Sequence, residues 1–283
     1  MLFDARLVVI ALLNFFPQYP FEIPLSLLRG IPLSAQSSTP PTAVTADWVA
    51  RQVDSRDTGR DARSTMQMRL FDRQGRKRER TLTLLAMEAA PGDRLLMRFT
   101  YPNDIAGTSF LVWERDGAED ERFLFLPALG RVRRIAGSER QESFVGSDFT
   151  YEDIGGRALE DYTYTLLDAN ATFTGADGRA HPAYQLESRA KQADALYPRV
   201  VSLVRKDNLV VVRAEIFNRR NEREKEYRVL RLEQVSGIWT TTEVVMTNDL
   251  DRTRTELTTT NVTYNVGLKE SDFSRRELER GAK

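Results

Sequence analysis

The chain of 283 residues contains no cysteine. This excludes a thiol nucleophile, Cys-ligated zinc, an iron–sulfur centre, any disulfide and lipidation of an N-terminal cysteine. It contains a single histidine, His181, so a Ser-His-Asp triad has one choice of base and a metal site one imidazole. Net charge is also missing: 41 Lys and Arg balance 41 Asp and Glu. No overall field draws the chain to a phosphate backbone, and no nucleic-acid partner is expected. A Gly-rich phosphate loop, a GxSxG elbow and an HExxH helix are all absent from the sequence. The expectation is a non-enzyme without cofactor or metal.

What the chain does have is apolar surface, 41% against 29% charged residues. That balance supports a packed core and is too polar for a protein of many membrane spans. The apolar run Leu7 to Phe16 is about half the ~20 residues that a spanning helix needs, which suits the h-region of a signal peptide. Pro17, Pro20, Pro24 and Pro32 interrupt the next apolar stretch, up to Leu33. Residues 1–35 are therefore expected to be a signal peptide, 36–44 a Ser/Pro/Thr linker, and 45–283 one domain. A misassigned start codon is the other explanation for the acidic Asp4 and the prolines.

Thr45 reads as the N-cap of a helix over TADWVARQVDSRDTG, with Trp48, Val49 and Val53 on one face and Gly59 as the stop signal. Beyond it the period becomes two. Met66, Met68 and Leu70 alternate with polar residues, as do Leu82 and Leu84, then Leu95, Met97 and Phe99. Similar short runs recur to Tyr264, with turn residues between them. Spacing and composition predict an all-β meander of about 10 or 11 strands. Lys206-Asp207-Asn208 is expected to turn one hairpin, and NRRNEREKEYR to be a solvated hairpin tip. The stretch PALGRVRRIAGSERQESFVGSDFTYEDIGG, residues 127–156, has no period of two.

Within that stretch two groups stand out. Arg131, Arg133 and Arg134 form a basic knot. It reads either as a docking site for an acidic or phosphate-bearing surface or as a polar edge strand protected from further pairing. Asp148, Glu152 and Asp153 read as a carboxylate site or, with more weight, as helix capping, since Thr150 and Asp153 have capping-box spacing. His181, just before Pro182, reads as an exposed loop residue. The methionines and aromatics read first as core, although Met is over-used where a surface must adapt to variable apolar partners.

The order of these features resembles the outer-membrane lipoprotein-sorting protein family (LolA-like): an aliphatic-aromatic strand ending in Leu-Pro, a basic patch, then SFVGSDFTYED. The opening helix, the strand DNLVVVRAEIFN, the strand GIWTTTEVVMTN and the ending TYNVGLKESDFSRRELERG are similar too. The resemblance implies a mainly β fold: an incomplete, strongly curved antiparallel β-barrel with a few short helices as a lid over its open side. It implies a periplasmic carrier, or chaperone, that holds acyl chains of lipoproteins or lipids and moves them toward the outer membrane. In divergent members it implies a companion of an inner-membrane lipid exporter of the resistance-nodulation-division (RND) type. The expected cavity residues are Met66, Met68, Met97, Phe99, Trp113, Phe123 and Phe125, and the expected lid residues Phe144, Phe149 and Tyr151. Arg131, Arg133 and Arg134 are the expected docking residues. Alternation alone leaves open which strand face lines the cavity. The alternative is a non-catalytic sensor of the same fold that detects lipoproteins and binds a membrane protein.

Overall fold

A computed structural model describes residues 43–115, 118–155 and 158–280. The expected signal peptide and nearly all of the expected linker lie outside the described residues. α1 (Ala46–Asp54) is capped as read, with Thr45 Oγ1 accepting from the Trp48 amide at 3.2 Å. The helix ends at Asp54, five residues before the expected glycine stop.

Thirteen strands come after it, not 10 or 11. They are β1 (Asp61–Phe71), β2 (Lys77–Met87), β3 (Arg94–Tyr101), β4 (Ser109–Trp113), β5 (Glu121–Leu126) and β6 (Arg131–Ile135). After a non-sheet segment come β7 (Tyr162–Thr174), β8 (Ala180–Ala190), β9 (Arg199–Arg205), β10 (Val211–Phe217), β11 (Arg223–Val235), β12 (Ile238–Asn248) and β13 (Thr253–Tyr264). All pairings are antiparallel, in the order β6-β5-β4-β3-β2-β1-β13-β12-β11-β10-β9-β8-β7. The sheet is open: β6 and β7 are its two edges, and it does not close into a barrel.

The basic knot is thus an edge strand. Its charges hide the period of two from a hydrophobic pattern, and they guard the unpaired edge of β6. His181 is extended as expected but sits in β8, half-buried and 3.7 Å from Asp177, not in a loop. In the β9–β10 turn the left-handed residue is Leu209, at φ 58°, not Asn208. Asn208 instead accepts the Val210 amide through its side chain. The expected solvated tip is real only for Asn218–Glu222, because Lys225, Glu226 and Tyr227 are buried in β11.

Register divides the residues of the sheet between two faces. On the inner face Met66 lies opposite Leu82, and Leu82 opposite Phe99. Leu84 lies opposite Met97, and Met97 opposite Phe110. The face continues through Leu257, Val244 and Val229, with Met246 and Tyr227 beside them. α1 covers its far end, where Trp48 meets Tyr184 edge-to-face at 6.4 Å. The outer face of β3–β5 is also buried, under the 3₁₀ turn Glu270–Phe273 and α3 (Arg275–Glu279). There Trp113 Nε1 donates to the Phe273 carbonyl at 2.8 Å, and Arg275 stacks on Phe123.

Candidate functional site

The segment from 136 to 161 links the two edge strands in sequence, and its described residues, 136–155 and 158–161, form a lid over the inner face. The lid comprises 3₁₀ turns at Gly137–Gln141, Phe144–Gly146 and Leu159–Asp161 and one short helix, α2 (Tyr151–Gly155). Thr150 caps α2 through a reciprocal box: its amide donates to Asp153 Oδ2 at 2.8 Å, and the Asp153 amide donates to its Oγ1 at 3.0 Å. Ser143 and Thr150 form a single bridge that folds the lid on itself. Among the described residues, no strand of the sheet pairs with the lid.

Aromatic rings hold the lid down. Phe144 sits 5.9 Å from Phe99 and 5.5 Å from Phe110, and Tyr151 sits 5.3 Å from Phe110. Phe144, Phe149 and Ile154 are almost wholly buried. Burial pushes the Tyr151 phenol above its ordinary value, so it stays neutral over the physiological range.

Polar ties supplement the rings, and each reaches a strand of the sheet. Arg80, on the inner face opposite Met68, donates to the Val145 carbonyl. Burial lowers its guanidinium pKa from the ordinary value. Asp148 accepts from Thr253 Oγ1 and, at 2.6 Å, from Thr255 Oγ1. Lys225 Nζ donates to the Asp148 carbonyl and to Tyr197 Oη, both at 2.7 Å. Asp148 and Asp153 therefore act as anchor and cap, the structural reading of the acidic cluster.

The structure unites seven of the ten expected ligand residues. Met66, Met68, Met97 and Phe99 line the inner face, and Phe144, Phe149 and Tyr151 pack down from the lid. Trp113, Phe123 and Phe125 point the other way, since Phe123 pairs with Leu111, Leu111 with Leu96, and Leu96 with Leu85 on the outer face. They form the seat of α3. Arg131 and Arg134 are exposed on the edge, and Arg133 pairs with Glu139 at 3.0 Å. Sequence reasoning does not single out Phe110, Arg80 or Lys225. Phe110 lies in the continuous apolar run SFLVW, the pattern of a strand covered on both faces. The two cations stand in charged runs that read as solvent-facing.

A family model described as "-like: Uncharacterized protein" matches residues 92–280. A DUF1329 family protein from Desulfovibrio piger is 30% identical, with 81% of this chain and 96% of that chain covered and a TM-score of 0.74. A putative outer membrane lipoprotein-sorting protein domain from Vibrio parahaemolyticus is 28% identical, with 83% and 98% covered and a TM-score of 0.75. A LolA superfamily protein from Nitrosomonas europaea shares the fold at 19% identity, with 83% and 100% covered and a TM-score of 0.64. No curated protein matches the chain.

Proposed function

We propose that the chain, which belongs to the DUF1329 family and is similar to an outer membrane lipoprotein-sorting protein domain, is a periplasmic carrier for acyl chains of lipoproteins or lipids. The cargo binds on the inner face, between Met66, Met97, Phe99 and Phe110 below and Phe144, Phe149 and Tyr151 above. One observation carries this reading. The apolar inner face is covered by a segment that rests on ring contacts and a few polar ties, with no sheet ladder, among the described residues, to the strands beneath it. Lifting such a lid exposes apolar surface while leaving every strand pairing intact.

Burial of an acyl chain of about 14 methylenes recovers roughly 11 kcal/mol at ~0.8 kcal/mol per CH₂. Free transfer through water is therefore very slow, and a carrier needs an adaptable apolar face and no catalytic group. Met66, Met68, Met97 and Met246 supply unbranched, polarisable side chains there. Delivery runs toward the outer membrane, with an inner-membrane RND-type lipid exporter as the companion that the family resemblance implies.

Native mass spectrometry on protein exported to a periplasm and purified without detergent tests this reading. A retained mass that leaves on denaturation and proves to be a lipid or acylated peptide supports it and names the cargo class. Protein that emerges empty and ignores added fluorescent fatty-acyl probes overturns it in favour of a sensor.

A further inference from the structure

Because every strand pairing is antiparallel, hairpin turns alternate between the two ends of the sheet, and the ends differ in charge. One end carries the turns after β1, β3, β5, β8, β10 and β12. Taking each turn with three strand residues on either side, residues 69–79, 99–111, 124–133, 188–201, 215–225 and 246–255 form this rim, and they hold 16 Lys or Arg and nine Asp or Glu. The opposite end carries the turns after β2, β4, β7, β9 and β11. Counted the same way, residues 85–96, 111–123, 172–182, 203–213 and 233–240 hold seven Lys or Arg and ten Asp or Glu. A chain with no net charge is thus polarised along its strands.

Apolar exposure has the same polarity. The three most exposed large apolar side chains among the described residues are Leu129 at 56%, Leu250 at 54% and Tyr101 at 53%. All three stand on turns or strand ends of the basic rim. Cations flank them. Arg73, Arg131, Arg134 and Arg252 are exposed, and no ion pair holds them among the described residues. The lid is tied down at this same end. Arg80, Lys225 and Thr253 all fall within the first four residues of β2, β11 and β13.

We propose that the basic rim is a docking surface for an anionic phospholipid bilayer, on which Leu129, Tyr101 and Leu250 reach past the headgroups. Its chemistry fits phosphate headgroups better than a folded partner. The cations are spread over separate hairpins, Arg73 after β1, Arg131 and Arg134 after β5 and Arg252 after β12, and Leu129 and Leu250 share the last two of these. A flat anionic surface engages such a rim along its length, and Lys and Arg near it each contribute about a fivefold gain in partitioning. The acidic end is repelled, so the molecule meets the bilayer with the lid's tethered end first. The inference goes beyond the carrier reading, and it is tested without cargo.

The experiment is sedimentation with lipid vesicles at about physiological salt, where the Debye length is ~8 Å. One set contains 30% phosphatidylglycerol in phosphatidylcholine, the other phosphatidylcholine alone. The wild type is expected to bind the first and not the second, more weakly as salt rises. A variant with Arg73→Glu, Arg131→Glu and Arg134→Glu is expected to lose about 100-fold in partitioning, from about fivefold per cation. Leu129→Asp is expected to lose about tenfold, since an inserted Leu contributes roughly what one buried Leu does. These residues are exposed, and unchanged circular dichroism and melting show that each variant folds. Equal binding to neutral vesicles, an unaffected triple variant, or no binding of the wild type to anionic vesicles each overturns the proposal. The last result assigns the rim to an acidic protein surface instead. None of these outcomes bears on whether an acyl chain fits under the lid.

Discussion

Arg80 shows what a single side chain does in this fold. The surrounding sequence, KRERT, points to a solvated hairpin, and an alternating pattern gives no warning that one of its three basic residues turns inward. Register places it opposite Met68, where its guanidinium reaches the Val145 carbonyl of the lid. Hydrogen bonds from charged donors contribute about 1.5–3 kcal/mol. Arg80→Met keeps the apolar stem and removes the tie. Hydrogen exchange of the amides at 144–151 is then expected to accelerate roughly 10- to 100-fold, the equivalent of that energy, while strands β10–β12 keep their protection. Uniform acceleration throughout the sheet would show that Arg80 supports the whole fold and not the lid. By contrast the capping residues are legible. Thr45 before an apolar face and Thr150 three residues ahead of Asp153 are local signals, and local signals survive in a sequence because both partners lie within one turn.

At the scale of elements, legibility depends on how each strand is covered. β1 and β2 alternate because their outer faces meet water, and their inner residues stand out in the pattern. β4 and β5 are apolar on both sides because α3 covers the outer one. FLVW and RFLFL therefore carry no phase, and nothing in the pattern separates Trp113, Phe123 and Phe125 from the residues of the inner face. β6 escapes detection for the opposite reason: three arginines in five positions mask Val132 and Ile135.

The same scale governs acid stability. On the outer face of β10 and β11, Glu226 accepts from Arg213 at 2.8 Å and from Arg228 at 2.5 Å, with Arg223 at 3.4 Å. Burial alone would raise its pKa, but the hydrogen bonds and charges of Arg213 and Arg228 outweigh it and hold the carboxyl below 4.5. A depressed carboxyl stabilises the fold fully above its ordinary pKa, and the contribution is lost as pH falls through the lower folded value. The arginines are 34–50% exposed, so solvent screening limits the effect to about 1 kcal/mol. Glu226→Gln is expected to lower stability by that amount at pH 7 and to flatten its decline below pH 4.5, as read by urea titration across pH. An unchanged slope would remove this network from the account of acid sensitivity.

The whole molecule is two meanders, β1–β6 and β7–β13, each built from strands that neighbour in space as they do in sequence. One pairing departs from that rule: β1 lies against β13, with Met68 opposite Leu257. The hydrophobic pattern foretells many short strands, and the family resemblance an incomplete barrel, but the pattern cannot disclose this pairing, because alternation carries no partner identity. Such a distant contact closes late, and folding slower than in local-contact domains is the usual result. Shortening the chain before β13 is expected to separate the meanders and expose the apolar inner face of β1. Loss of cooperative melting together with dye binding would register it, and a sharp unaltered transition would contradict it.

The lid also turns out to be the splice between those two halves, since residues 136–161 are the chain's only passage from β6 to β7. A single cut there severs covalent continuity without touching a strand. The products would be two complementary fragments, each a complete run of hairpins, mated along the β1–β13 seam. Made separately, they form a natural split system, in which restored binding of an acyl probe reports that the seam has found its match.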